Sequence, residues 1–222
     1  MKSLPLYFLF LIFGPCLGQS SEVDFKTYFN ENEIKDLNAI ADFFQSELCG
    51  TKESTEFGEC IKNLVPDIID LENNYIEKNI SYRKQKKLYR KISKNTFQKI
   101  WALCKSWRSK KPKYEYESLC YSFNPEFKAF VLELGKTSGY LSRYGETLEL
   151  GGLGNTNFIA SNIIEFPQSM NIEDRGVQIV FAIHYLTQND HLKRDKKAVR
   201  LENRDMRKLN RKAKKKTVPN NG

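Results

Sequence analysis

Histidine is nearly missing from this sequence: 222 residues contain two, His184 and His191. So little imidazole gives no basis for a His-rich metal centre, and only His184 falls in the part of the chain that reads as folded. Absent too are GxSxG, HExxH and a completed GxGxxG or GxxxxGK[ST], so the signatures of serine hydrolases, zinc proteases, dinucleotide folds and P-loops are not met. After residue 18 there is no run of eighteen uninterrupted apolar residues, the length a transmembrane helix needs. No CxxC spacing occurs, which removes the usual framework for structural zinc. Neither a metal nor a cofactor is expected.

What is present begins with a leader. Lys2, an apolar run from Leu4 to Phe13 and then "GPCLGQ", with Cys16 and Gly18 at the small-residue positions, predict a cleaved signal peptide over residues 1–18. Acylation of Cys16 in a bacterial lipoprotein is the competing reading, and Pro15 fits it poorly. Export places Cys49, Cys60, Cys104 and Cys120 in an oxidising compartment, secreted or periplasmic, so two disulfides are expected. Of three possible pairings we favour the sequential one, Cys49 with Cys60 and Cys104 with Cys120, because each pair joins neighbouring elements across a short polar loop. Each closure should contribute about 3 kcal/mol.

Apolar spacing is mostly helical. Ile34, Leu37, Ala41, Phe44 and Leu48 recur every three or four positions, Asn30 and Glu33 form a capping-box pattern, and Gly50 stands where a C-terminal cap belongs. Phe57, Ile61, Leu64, Ile68, Leu71 and Tyr75 predict a second helix, started or kinked by Pro66. From Tyr82 through Ile92, Thr96, Ile100 and Leu103 to Trp107 a third stripe appears, with Ser93 or Asn95 able to cap a second segment. "KYEYESLCYSF" alternates and predicts one short strand. Pro125 suits the first turn of a helix carrying Phe127, Phe130, Val131, Leu134, Leu141 and Tyr144, weakened by Gly135 and Gly139. "GGLGNTN" at 151–157 follows no buried strand and reads as a connecting loop rather than a phosphate cradle. Val177 to Leu186 predicts a central buried helix. The expected fold is therefore mainly α: a disulfide-stapled globular bundle of five or six helices over residues 19–192, followed by a basic, partly helical or disordered extension over 193–222, its last ten residues unstructured.

Charge is distributed in blocks. Residues 19–82 hold 5 bases and 14 acids, residues 83–113 hold 13 bases and no acid, residues 114–192 hold 4 bases and 10 acids, and residues 193–216 hold 13 bases and 3 acids. Arg83, Lys84, Lys86, Lys87, Arg90, Lys91 and Lys94 either face a polyanion or lie against the acidic first helices; the second arrangement is the expected one. Trp101 and Trp107, near Tyr114, Tyr116 and many lysines, are expected in the core rather than as stacking platforms. The extension is expected to have no comparable acidic partner nearby. Its cations, Lys193, Arg194, Lys196, Lys197, Arg200, Arg204, Arg207, Lys208, Arg211, Lys212, Lys214, Lys215 and Lys216, are the candidate anion-binding residues.

These features predict an exported, non-catalytic interaction protein whose extension associates with an anionic envelope or extracellular polymer or a lipid surface. Nucleic acid is a poor match to an exported chain. The alternative is a small secreted hydrolase using carboxylates, such as Glu31 with Glu33, Glu115 with Glu117 or Glu173 with Asp174, or using His184, which reads more simply as a satisfied core residue. A purely structural role is the third reading. Asn79-Ile80-Ser81 is a glycosylation sequon under a eukaryotic-type secretory pathway.

Overall fold

The computed structural model describes residues 23–50, 54–70, 72–148 and 158–216. The expected leader at 1–18 and the glycine-rich stretch at 151–157 lie outside these residues. Among them the chain forms nine helices and one two-stranded antiparallel sheet, and it is mainly helical.

Local chemistry sets the first boundaries. In α1 (Glu31–Leu48) the Asn30 side chain accepts from the backbone N–H of Asn32 and Glu33, while the Glu33 carboxylate accepts from the Asn30 N–H at 3.0 Å. Gly50, at φ 68°, then takes a left-handed conformation that other residues reach only with strain. The second predicted helix is divided into α2 (Ser54–Ile69) and α3 (Tyr75–Asn79), with Pro66 inside α2. Its stripe is interrupted because Asp70 Oδ1 accepts from the N–H of Glu72 and Asn73, a turn that competes with helix continuation, and Asn74 stands at φ 50°. Cys49 and Cys60 form a disulfide across the loop between α1 and α2, with Cα atoms 5.9 Å apart.

The third predicted helix is corrected more deeply. It comprises α4 (Tyr82–Lys91) and α5 (Lys94–Ile100), and Ser93 caps α5 as its spacing suggested. At Trp101 the chain becomes extended: β1 (Trp101–Trp107) pairs with β2 (Glu115–Tyr121), Trp101 opposite Tyr121 and Trp107 opposite Glu115. The expected strand is real, but it is not alone. Cys104 and Cys120 form the second disulfide within this hairpin, also with Cα atoms 5.9 Å apart. Cross-strand pairing outweighs the helical spacing of Leu103 and Trp107, which are 51% and 58% exposed. Trp107 is therefore not a core residue, whereas Trp101, 1% exposed, is.

α6 (Pro125–Leu134), capped by Asn124, and α7 (Gly139–Thr147), capped by Ser138, meet at a sharp joint. A Cβ at Gly135 would lie 2.5 Å from the Ser142 backbone nitrogen, so the joint closes only around a glycine. The short α8 (Phe158–Glu165), not foreseen in the sequence, buries Ile159, Ala160 and Ile163.

α9 (Arg175–Lys216) is 42 residues long. Asp174 Oδ1 accepts from the N–H of Gly176 and Val177 at its start. From Val177 to Leu186 the helix is buried, as expected, and it belongs to one apolar cluster reaching from Phe29 through Phe44, Phe57, Trp101 and Phe130. Phe181 packs edge-on to Phe44 with ring centroids 5.7 Å apart, and the Trp101 indole donates to Thr187 Oγ1 at 2.7 Å. The helix then runs without a break across residues 192 and 193 and continues to Lys216, so residues 213–216, expected to lack structure, are helical. Ion pairs of Lys193 and Lys196 with Glu77 of α3, and of Arg108 and Lys113 with Asp195, Glu202 and Asp205, tie residues 193–205 of this polar segment to the body.

Candidate functional site

Charge along α9 is sorted by face. At 100° per residue, positions 193, 196, 197, 200, 204, 207, 208 and 211 fall within an arc of about 120°, and every residue on that arc between 193 and 211 is lysine or arginine. Asp195, Glu202 and Asp205 lie on the opposite side and are taken up by the hairpin. Arg108 faces Asp195 at 3.5 Å and Glu202 at 3.9 Å, Lys113 reaches Asp205 at 3.2 Å, and the Tyr116 hydroxyl donates to Asp195 at 3.0 Å. The Asp205 carboxyl is held below its ordinary range by Lys113.

Near the body some of the expected anion-binding cations have acidic partners, contrary to the expectation that none lies nearby. Lys193 pairs with Glu77 at 3.2 Å, and Lys196 pairs with the same carboxylate. Burial would raise the pKa of Glu77, but the two lysines outweigh it and the carboxyl stays below its ordinary value. Arg194 pairs with the fully buried Asp190 at 2.6 Å and donates to the Glu117 carbonyl at 3.2 Å. Tyr82 also donates to Asp190, and burial together with that negative charge pushes the phenol up to about 12.

Lys197, Arg200, Arg204, Arg207, Lys208, Arg211 and Lys212 are exposed and form no ion pair among the described residues. Arg200, Arg204, Arg207, Lys208 and Arg211 rim a shallow groove of 440 Å³. Lys214, Lys215 and Lys216 extend the helix, and their side chains lie outside the described residues. In residues 83–113 the expected offset by the acidic helices is found only at Lys84 with Glu47 and Lys99 with Glu33; Arg83, Lys86, Lys87, Arg90, Lys91 and Lys94 form no ion pair among the described residues. Arg108 and Lys113 serve α9 instead.

A second recess adjoins the basic face. Between α4, the hairpin and α9 lies a cleft of 490 Å³ whose walls include Tyr82, Tyr114 and Tyr116 beside Lys86, Lys193 and Lys197. The sequence named Tyr82 on an apolar stripe, Lys86 among cations able to face a polyanion, and Tyr114 and Tyr116 beside lysines, but did not join the last two to Tyr82 and Lys86. Their four-residue spacing on a basic helix was the one available signal, and Lys86 Nζ lies 4.9 Å from the Tyr82 ring centroid.

Most residues considered for catalysis are occupied structurally; Glu31 and Glu117 are exposed and form no ion pair among the described residues. His184 is 1% exposed, and its Nδ1 shares a hydrogen bond with the Tyr144 hydroxyl at 3.1 Å. Glu33 closes the α1 cap, Glu115 pairs with Lys105, Glu173 pairs with Lys62 and Asp174 caps α9. A cleft of 670 Å³ contains Asp24, Glu133 and Asp174, but Asp24 and Asp174 accept from local backbone N–H groups and Glu133 pairs with Lys136. Among the described residues no group of three or more His, Cys, Asp or Glu is placed to hold a metal ion.

No protein-family model, curated protein or solved structure matches this chain.

Proposed function

We propose that the chain is an exported, non-catalytic interaction protein that engages anionic surface components through the outer face of α9. The observation carrying this reading is the sorting of charge around that helix: its acids are consumed by the hairpin, and its uncompensated cations project together from the opposite side. A merely solubilising helix has no need for such segregation. Several cations per ligand act additively, each contributing on the order of 1 kcal/mol near an anionic surface and each weakened by salt. Two disulfides and the leader-like residues 1–18 support export, and no described helix is long and apolar enough to cross a membrane. Burial of His184 and engagement of Glu33, Glu115, Glu173 and Asp174, one or both members of every candidate pair, favour binding over hydrolysis.

The test compares the full chain with an Arg204→Glu/Arg207→Glu/Arg211→Glu variant on heparin resin and on vesicles containing anionic lipid, at rising salt. The variant should elute at markedly lower salt with unchanged thermal stability. Equal retention of the two proteins removes the proposal.

A further inference from the structure

The basic arc of α9 does not end where the helix meets the body. Lys193 and Lys197, both on the arc, also form part of the wall of the 490 Å³ cleft between α4, the hairpin and α9. Within that lining Lys193, Arg194 and Lys113 are tied to Glu77, Asp190 and Asp205, and Glu115 is tied to Lys105. Lys86, Lys197 and Glu117 remain outside any ion pair among the described residues. Tyr82 and Tyr116 offer half-buried side chains to the same walls, whereas Tyr114 is buried with Lys113 Nζ 4.8 Å from its ring centroid.

This mixture discriminates between polyanions. A bilayer surface cannot enter a concave cleft, and the exposed apolar side chains of this part of α9, Leu201, Met206 and Leu209, lie off the outer arc. A polyphosphate would meet the Glu117 carboxylate unfavourably, whereas a sugar hydroxyl donates to it, an acidic sugar substituent suits Lys86 and Lys197, and sugar rings pack on tyrosine. From Lys193 to Arg211 the arc is about 27 Å long at 1.5 Å per residue, which suits a chain-like ligand. Oxidised cysteines favour a compartment where linear polyanions are glycans rather than nucleic acids.

We infer that the partner is a linear acidic polysaccharide, one end of which occupies the cleft beside Lys86 and Lys197 while its following anionic groups run along Arg200, Arg204, Arg207 and Arg211. This rests on the anion-binding reading above and specifies its ligand.

The experiment measures binding of the full chain to heparin-derived oligosaccharides of increasing length, to phosphatidylserine/phosphatidylcholine vesicles and to single-stranded DNA of matched charge, all at one salt concentration. Affinity should climb with oligosaccharide length until the sugar spans the arc and then level off. Lys86→Ala, at an exposed position on α4 and off the arc, should weaken oligosaccharide binding about fivefold and leave vesicle binding unchanged, with near-ultraviolet circular dichroism confirming the fold. Wild-type affinity of that variant for oligosaccharides overturns the inference, as does equal or tighter binding of vesicles or DNA. If Arg204→Glu/Arg207→Glu/Arg211→Glu abolishes binding while the cleft variant does not weaken it, the cleft assignment fails and anion binding stands. If the wild-type chain binds none of the three ligands, both fail.

Discussion

Arg194 Nε donates to Asp190 Oδ1 at 2.6 Å, one turn back along α9, and Asp190 is wholly buried while Arg194 sits at the edge of the body. The same carboxylate accepts from the Tyr82 hydroxyl at 3.0 Å and from the Leu119 N–H at 3.4 Å, so it ties together α4, β2 and α9. Removing one partner of a buried pair leaves the other charge uncompensated. Asp190→Ala should therefore lower stability by about 3–5 kcal/mol in urea unfolding. Replacing both charges, as in Asp190→Leu/Arg194→Met, should recover part of that loss, because no buried charge is left unpaired. A double variant as unstable as Asp190→Ala would show that the ion pair is not the reason.

The two disulfides close loops of similar size, with sequence separations of 11 and 16. Replacing either pair with serine should cost about 3 kcal/mol in the chain-entropy account. Loss of Cys104–Cys120 should additionally loosen the hairpin, exposing the salt bridges from Arg108 and Lys113 to α9, and hydrogen exchange should rise across residues 195–205. Peptide mapping without reduction should recover Cys49 linked to Cys60 and Cys104 linked to Cys120. Any crossed linkage contradicts the fold.

Stability should fall at both pH extremes. Glu33 is opposed by burial but held below its ordinary 4.5 by Lys99, the Asn30 N–H and Asn95, and Glu77 is held down likewise by Lys196 and Lys193. Carboxyls lowered in the fold contribute fully above 4.5 and lose that contribution as pH falls through their folded values, so acid should destabilise the chain below about 4.5. Burial raises Tyr82, Tyr116 and Tyr140 to about 12, aided at Tyr82 by Asp190 and at Tyr116 by Asp195. An unfolded phenol ionises near 10, so stability should decline between pH 10 and 12. Chemical denaturation across pH checks both limbs, and a flat alkaline limb would contradict the tyrosine environments.

How much of this was legible in the sequence depends on where each signal resides. The α1 cap, the Gly50 stop, Pro125 at its helix start and the buried Val177–Leu186 segment are written within a few neighbouring residues, and the structure carries all four. Leu103 and Trp107 continue the preceding 3.6-residue spacing by coincidence, and only pairing with residues 115–121 makes that segment a strand. The basic extension was visible as composition, and the spacing of Asp195, Glu202 and Asp205 already placed its acids on one side. Their partners were not visible. Tyr82 donates to Asp190 across 108 residues of sequence, so the cleft that Tyr82 borders exists only after the chain has folded.

The two tryptophans occupy opposite environments although they bound the same strand. Trp101 is 1% exposed, donates from Nε1 to Thr187 and lies within 5.5 Å of the rings of Tyr89 and Phe97 at 5.2 and 5.4 Å. Trp107 is 58% exposed. Acrylamide should consequently quench only part of the fluorescence. Trp107→Phe should remove the accessible fraction and leave a blue-shifted emission, at a cost below about 0.5 kcal/mol because the site is on the surface. Trp101→Phe should instead cost about 1–3 kcal/mol, since it deletes a buried hydrogen bond and opens a cavity beside α9. If both single variants were quenched alike, Trp107 would be packed as a core residue, and the hairpin could not present its outer end to solvent while its acidic and basic partners hold α9 in place.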